Sequence, residues 1–173
     1  RHAAFAHLEH PIRFNLGRIE GGEWASSVPT RCLMELRCGF YPGVTAAAAR
    51  AAIEARLSDT VAKNPRLAGI AHRIRYAGFQ AEGFVADSSG PLFSALADAH
   101  NRVIGSAPEL FASSATTDAR VFNLYGRIPA TCYGPEAANI HGIDESVSLE
   151  SVRQTTRVLA LFIARWCGLE RAK

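Results

Sequence analysis

Two short runs carry the side chains best suited to chemistry. Thr116-Thr117-Asp118-Ala119-Arg120 sets two hydroxyls, a carboxylate and a guanidinium side by side. Arginine presents a planar fork that grips a carboxylate through two parallel hydrogen bonds, so this run suits an oxyanion or carboxylate site. The same residues also suit a helix N-cap with a surface ion pair, and both readings stand on the chemistry alone. The second run is Tyr133-Gly134-Pro135, followed by Asn139-Ile140-His141-Gly142-Ile143-Asp144-Glu145. A Gly-Pro loop directly after an apolar strand places the next residues at the strand's exit, where α/β proteins build sites. Gly142 lets backbone or ligand come close to His141, and Asp144 and Glu145 can orient an imidazole. A lone loop histidine is equally an ordinary surface residue. No HExxH, no nucleophile elbow and no phosphate-binding glycine loop competes with these two runs.

These runs must be held by the elements around them. From Ile12 the residues alternate, with Ile12, Phe14 and Leu16 on one face, which reads as a half-buried strand ending near Gly17. Gly21-Gly22 turns the chain, and a longer strand is expected from Val28 to Phe40, its apolar face formed by Cys32, Met34, Leu36, Cys38 and Phe40. The two strands are expected to be antiparallel neighbours with a helix over the apolar face. Tyr41-Pro42-Gly43 is a turn, and Thr45 caps an Ala-rich helix to Lys63 whose stripe is Ala49, Ile53, Leu57 and Val61. A third strand is expected over His72 to Tyr76.

After Asp87-Ser88-Ser89-Gly90-Pro91 the pattern changes to helix and strand in alternation. A helix should run to Ile104, with Leu92, Leu96, Ala99 and Val103 inward and Gly105 as its stop. Leu110 to Ala112 and Ile128 to Tyr133 are suited to strands. A last helix should run from Leu149 to Cys167, capped by Ser148, with Val152, Thr156, Leu159, Phe162, Ile163 and Trp166 as its buried stripe. The fold class is therefore α/β: an α+β segment with an antiparallel sheet over residues 1–85, then an α/β segment over 86–173.

Composition narrows the function classes. Of 173 residues, 48% are hydrophobic and 20% charged, which excludes wholesale disorder. The net charge of +3 is spread along the chain without a basic, aromatic-laced patch, so no nucleic-acid partner is expected. No apolar run approaches the roughly 20 residues of a membrane-spanning helix, so no membrane partner is expected either. Cys32, Cys38, Cys132 and Cys167 show no CxxC spacing and read as buried free thiols. With no signal peptide visible, they point to a reducing, cytoplasmic setting.

Several motifs together resemble a known family. Phe14-Asn15-Leu16-Gly17-Arg18-Ile19-Glu20-Gly21-Gly22, then Ser27-Val28-Pro29 and Tyr41-Pro42-Gly43, are similar to the lid domain of the zinc amidohydrolases and peptidases that include acetylornithine deacetylase and succinyl-diaminopimelate desuccinylase. The later Thr116 to Arg120, Tyr133-Gly134-Pro135 and His141 to Glu145 follow in that family's order and approximate spacing. The resemblance implies a lid segment over 1–85 that mediates homodimerisation and the closing part of a catalytic domain over 86–173. It implies a two-zinc enzyme that cleaves the amide bond of N-acyl amino acids or small peptides. His141 matches the last metal ligand, Thr116 and Arg120 match residues lining the substrate pocket, and Asp118 matches a support for their loop. The remaining ligands and the general base would precede residue 1, so no catalytic residue is expected within this chain.

Two positions depart from the family pattern: Ser26 and Ser27 stand where asparagines are typical, and Gly39 stands where an arginine is common. Arg37 lies two residues earlier on the same strand face, about 7 Å away, and is the substitute candidate for holding the substrate carboxylate. A non-catalytic dimerisation or ligand-binding module is the alternative.

Overall fold

The computed structural model describes residues 2–170. The chain divides into two compact units, one reaching Val85 and taking back Ala112–Thr116, the other holding Ala86–Phe111 and the residues from Thr117 on. Helices and small antiparallel sheets occur together, so the fold class is mixed α/β.

In the first unit, Phe14–Gly21 (β1) and Cys32–Cys38 (β2) form a two-stranded antiparallel ribbon. Its register runs Phe14↔Cys38, Asn15↔Arg37 and Leu16↔Leu36, then shifts, so that Arg18 opposes Glu35 and Ile19 opposes Met34. Gly17 is the extra residue of a β-bulge. Because opposed residues point to the same face, the bulge returns Ile19 to the side of Phe14, Leu16, Met34 and Leu36, and leaves Arg18 with Glu35 and Arg37 on the other. Simple alternation beyond Leu16 would have put Ile19 among the polar residues.

The expected helix over this ribbon is absent among the described residues. Every residue of β1 is exposed, and so is all of β2 except the half-buried Cys38. Ala46–Lys63 (α1) forms where its cap and stripe require: the Thr45 hydroxyl accepts the Ala48 N–H at 3.1 Å, and Ala49, Ile53, Leu57 and Val61 are half-buried. Asn64 ends it and then accepts the Arg66 N–H at 3.0 Å, starting the 3-10 turn Pro65–Leu67.

The third strand expected over 72–76 does not form. That segment serves α1 instead: the Tyr76 hydroxyl donates to the Arg50 carbonyl at 3.2 Å, and the Arg50 guanidinium lies 5.1 Å from the Tyr76 ring centre. Further on, Glu82 Oε1 accepts the Ala46 N–H at the start of α1 (3.2 Å). A strand needs a neighbour to take its backbone groups, and here the neighbour is a helix.

The second unit is built on Pro91–Ile104 (α2) and the long C-terminal helix. Pro91 opens α2 at a position where its missing N–H costs nothing. Gly105 closes it in the left-handed conformation (φ 87°), its N–H bonded to the Asn101 carbonyl at 2.8 Å. A short helical turn, Ala119–Val121 (α3), runs into a π-helical turn, Phe122–Gly126, that ends on Arg127 at φ 51°. Ala137–Ala138 (β3) and Ser146–Val147 (β4) pair as a minimal antiparallel stem. Leu149–Cys167 (α4) begins at Ser148, whose hydroxyl accepts the Ser151 N–H at 3.2 Å.

Helices α2 and α4 bury Ala99 and Val158 completely, and Asp98 on α2 accepts from Arg102 (3.0 Å) and from Arg165 on α4 (3.1 Å). The stripe expected on α4 holds in part: Leu159 and Phe162 are half-buried, whereas Val152, Thr156, Ile163 and Trp166 are exposed, and the buried residues are Ser151 and Val158. Apolar residues alone did not show the inner position taken by a polar side chain, Ser151, which hydrogen-bonds there.

Neither Leu110 to Ala112 nor Ile128 to Tyr133 forms a strand. The cysteines are also not buried: Cys32, Cys132 and Cys167 are exposed and Cys38 is half-buried, all as free thiols. Among the described residues no helix is long and apolar enough to cross a membrane.

Candidate functional site

The second unit holds Arg120 and His141. Thr116 ends the short segment that belongs to the first unit, and Arg37 lies on β2. Arg120 is half-buried within α3, which Asp118 precedes as N-cap without a side-chain cap bond; the Val121 N–H donates to the Asp118 carbonyl at 2.9 Å. Thr116 is exposed. The Arg37 guanidinium is stacked over Phe79, 5.8 Å from the ring centre, so it is engaged within its own unit.

His141 sits at the tip of the β3–β4 stem, exposed. Three non-glycine residues in this loop adopt the left-handed conformation: Asn139 (φ 53°), His141 (φ 64°) and Asp144 (φ 58°). Such backbone costs of order 1–3 kcal/mol each for ordinary residues, less for Asn and Asp, and it concentrates where a loop is shaped for a task. Gly142 is required for a different reason. Its N–H bonds to the Asn139 carbonyl at 2.6 Å, and a Cβ there would lie 2.9 Å from that same oxygen.

The stem is anchored to α4 by a residue that sequence reasoning missed. The buried Ser151 hydroxyl donates to the Ser148 carbonyl at 2.8 Å and accepts the Glu136 N–H at 3.0 Å, while the Ser148 N–H donates to the Glu136 carbonyl at 3.0 Å. A serine in a helix's first turn gives no signal of this beyond its place in the sequence.

Two more unforeseen residues hold the approach to the loop. His100 Nδ1 on α2 lies 2.7 Å from the Tyr133 hydroxyl, with the rings edge to face at 5.8 Å. Burial pushes the Tyr133 phenol above its ordinary value of 10.0. Tyr133 borders an open cleft of about 260 Å³ whose walls include Leu92 and Leu96 of α2, Leu159 and Phe162 of α4, and Thr131. Asn123 closes the α3 turn against residue 130 through its side-chain amide.

Among the described residues no three His, Cys, Asp or Glu side chains come together closely enough to hold an ion. A catalytic zinc usually takes three protein ligands and an open position. His141 is thus one donor at most, and these residues alone do not make a metal site.

A deformylase of Bacillus subtilis (strain 168), N-formyl-4-amino-5-aminomethyl-2-methylpyrimidine deformylase, is 30% identical over 162 residues, covering 88% of this chain and 38% of the relative. The chain therefore spans well under half the length of that curated relative. Residues 4–165, which take in the ribbon, the Arg120 turn and the His141 loop, match the pattern of Peptidase family M20/M25/M40. The chain belongs to that family.

Proposed function

We propose that the polypeptide carrying this chain is a metal-dependent hydrolase that cleaves the amide bond of N-acyl amino acids or small peptides, in the manner of acetylornithine deacetylase. The family match over residues 4–165 carries this reading. The relative's name describes removal of a formyl group from a nitrogen, which is a bond of the same class.

In this reading the Arg120 guanidinium grips the substrate carboxylate through two hydrogen bonds, and Thr116 and Arg37 are further substrate-binding residues. His141 supplies one nitrogen to the metal, for which zinc suits an imidazole donor. The remaining donors and the proton-accepting group are assigned to polypeptide outside residues 1–173. Residues 1–85 act as part of the lid through which two copies pair, and residues 86–173 close the catalytic domain. A binding or pairing module without turnover is the alternative reading for residues 1–173 taken by themselves.

The deciding experiment uses the full-length polypeptide with N-formyl, N-acetyl and N-succinyl amino acids and the matching carboxamides. Release of free amine that depends on added zinc and stops with a chelator is expected. Release from none of these substrates by the zinc-loaded protein overturns the reading.

A further inference from the structure

The turn that carries Arg120 is not held by backbone alone. The Asn123 Nδ2 donates to the Ala119 carbonyl at 2.8 Å and to the Ala130 carbonyl at 2.8 Å, and Asn123 Oδ1 accepts the Ala130 N–H at 3.4 Å. Both amide hydrogens and the carbonyl oxygen are in use, and a flipped amide would set an oxygen against two carbonyls. Ala119 is the residue before Arg120, and Ala130 lies three residues before Tyr133. One side chain therefore spans from the guanidinium's turn to the segment that leads through Tyr133-Gly134-Pro135 to the His141 stem. Backbone bonds also hold the turn, among them the Val121 N–H to the Asp118 carbonyl at 2.9 Å. The turn is π-helical, Arg127 is left-handed, and the Ile128 N–H returns to the Phe122 carbonyl at 3.0 Å.

We infer that Asn123 is a positioning residue that fixes the Arg120 turn relative to residues 130–133 and thereby sets the recognition of the substrate's carboxylate. This rests on the reading in which Arg120 receives that carboxylate. A planar two-bond grip is sensitive to small displacements, because both bonds share one geometry. Three hydrogen bonds from one rigid amide limit such displacement without touching the substrate.

The test compares N-acyl amino acids with their carboxamides in the full-length, zinc-loaded protein, and reads the ratio of kcat/KM for acid over amide. Asn123→Ala removes all three bonds. Asn123→Asp keeps the shape and the acceptor for the Ala130 N–H but turns a carboxylate oxygen toward two carbonyls. Each variant should lose about tenfold in the acid-over-amide ratio, through a raised KM for the acid with kcat little changed. A purely structural role would scale both substrates together and leave the ratio as in the parent.

An unchanged ratio in both variants, with Arg120→Lys losing it, overturns the inference and leaves the Arg120 reading standing. A parent protein that does not prefer the acid overturns both. If neither variant folds, Asn123 is a fold determinant and the inference fails. If only one folds, its ratio decides.

Discussion

His100 on α2 and Tyr133 at the head of the Gly134-Pro135 loop meet directly, imidazole Nδ1 to phenol oxygen at 2.7 Å. The contact ties a helix to an otherwise strandless segment. Replacing Tyr133 with Phe should cost about 1 kcal/mol of stability, the usual net worth of one hydrogen bond. The alkaline limb checks the sign. Burial raises the folded-state pKa above 10.0, so the neutral phenol's contribution is whole below that value and is lost as pH climbs through the raised one. The parent should therefore lose stability more steeply above pH 10 than Tyr133→Phe, as followed by chemical denaturation across pH 9 to about 11.

Arg120→Lys keeps the charge but loses the fork. In the full-length protein kcat/KM for N-acyl amino acids should fall on the order of tenfold to hundredfold, the range for one charge-assisted hydrogen bond. Steady-state kinetics at saturating zinc would show it, and near-parent values would make Arg120 a structural residue.

The phase of α4 is open to a paired substitution. Val158 is fully buried, so Val158→Ala should cost about 2 kcal/mol, whereas Val152→Ala, 37% exposed, should cost under about 0.5 kcal/mol. Urea unfolding of both variants decides between the two faces. Equal costs would restore the stripe expected from hydropathy.

The His141 loop depends on Gly142. A methyl group there meets the Asn139 carbonyl at 2.9 Å, so Gly142→Ala should destabilise the loop by about 1–3 kcal/mol. Hydrogen exchange at the amides of residues 137–147 would report the loosening, even where the global melting point hardly moves.

The ribbon's apolar face, with Phe14, Leu16, Ile19, Met34 and Leu36 all exposed, should drive self-association of this chain. Sedimentation should show a dimer or larger species that Ile19→Lys with Met34→Glu reduces to monomer. A parent that is monomeric at high concentration would count against pairing through this face.

Much of this is legible in the sequence itself. Thr45, Ser148, Pro91 and Gly105 each act within one turn of helix, so their residue types alone place the ends of α1, α2 and α4. The strands expected at 72–76, 110–112 and 128–133 were not decidable that way. A strand exists only with a partner, and a run of apolar residues cannot say whether one is there. The Gly17 bulge was hidden for the same reason, being a property of two strands together. Arg120 stood out because hydroxyls, a carboxylate and a guanidinium are adjacent in residues 116–120, and His141 because it follows a Gly-Pro loop and precedes Gly142. Ser151 and His100 did not, because each works through a partner 15 or 33 residues away, and Asn123 did not, because an amide gives no sign of which backbone groups it will bridge.

The bulge also decides which changes of chain length the ribbon absorbs. Losing Gly17 outright leaves Arg18 opposite Glu35 and Ile19 opposite Met34, so every remaining pair survives and only the local bend is lost. Losing Ile19 is different, since Arg18 or Glu20 must then turn toward the side occupied by Phe14 and Leu16. Deleting Gly17 should therefore leave both faces as they are, whereas deleting Ile19 should bring a charged side chain onto the apolar face. Two deletions two residues apart are thus unequal in kind.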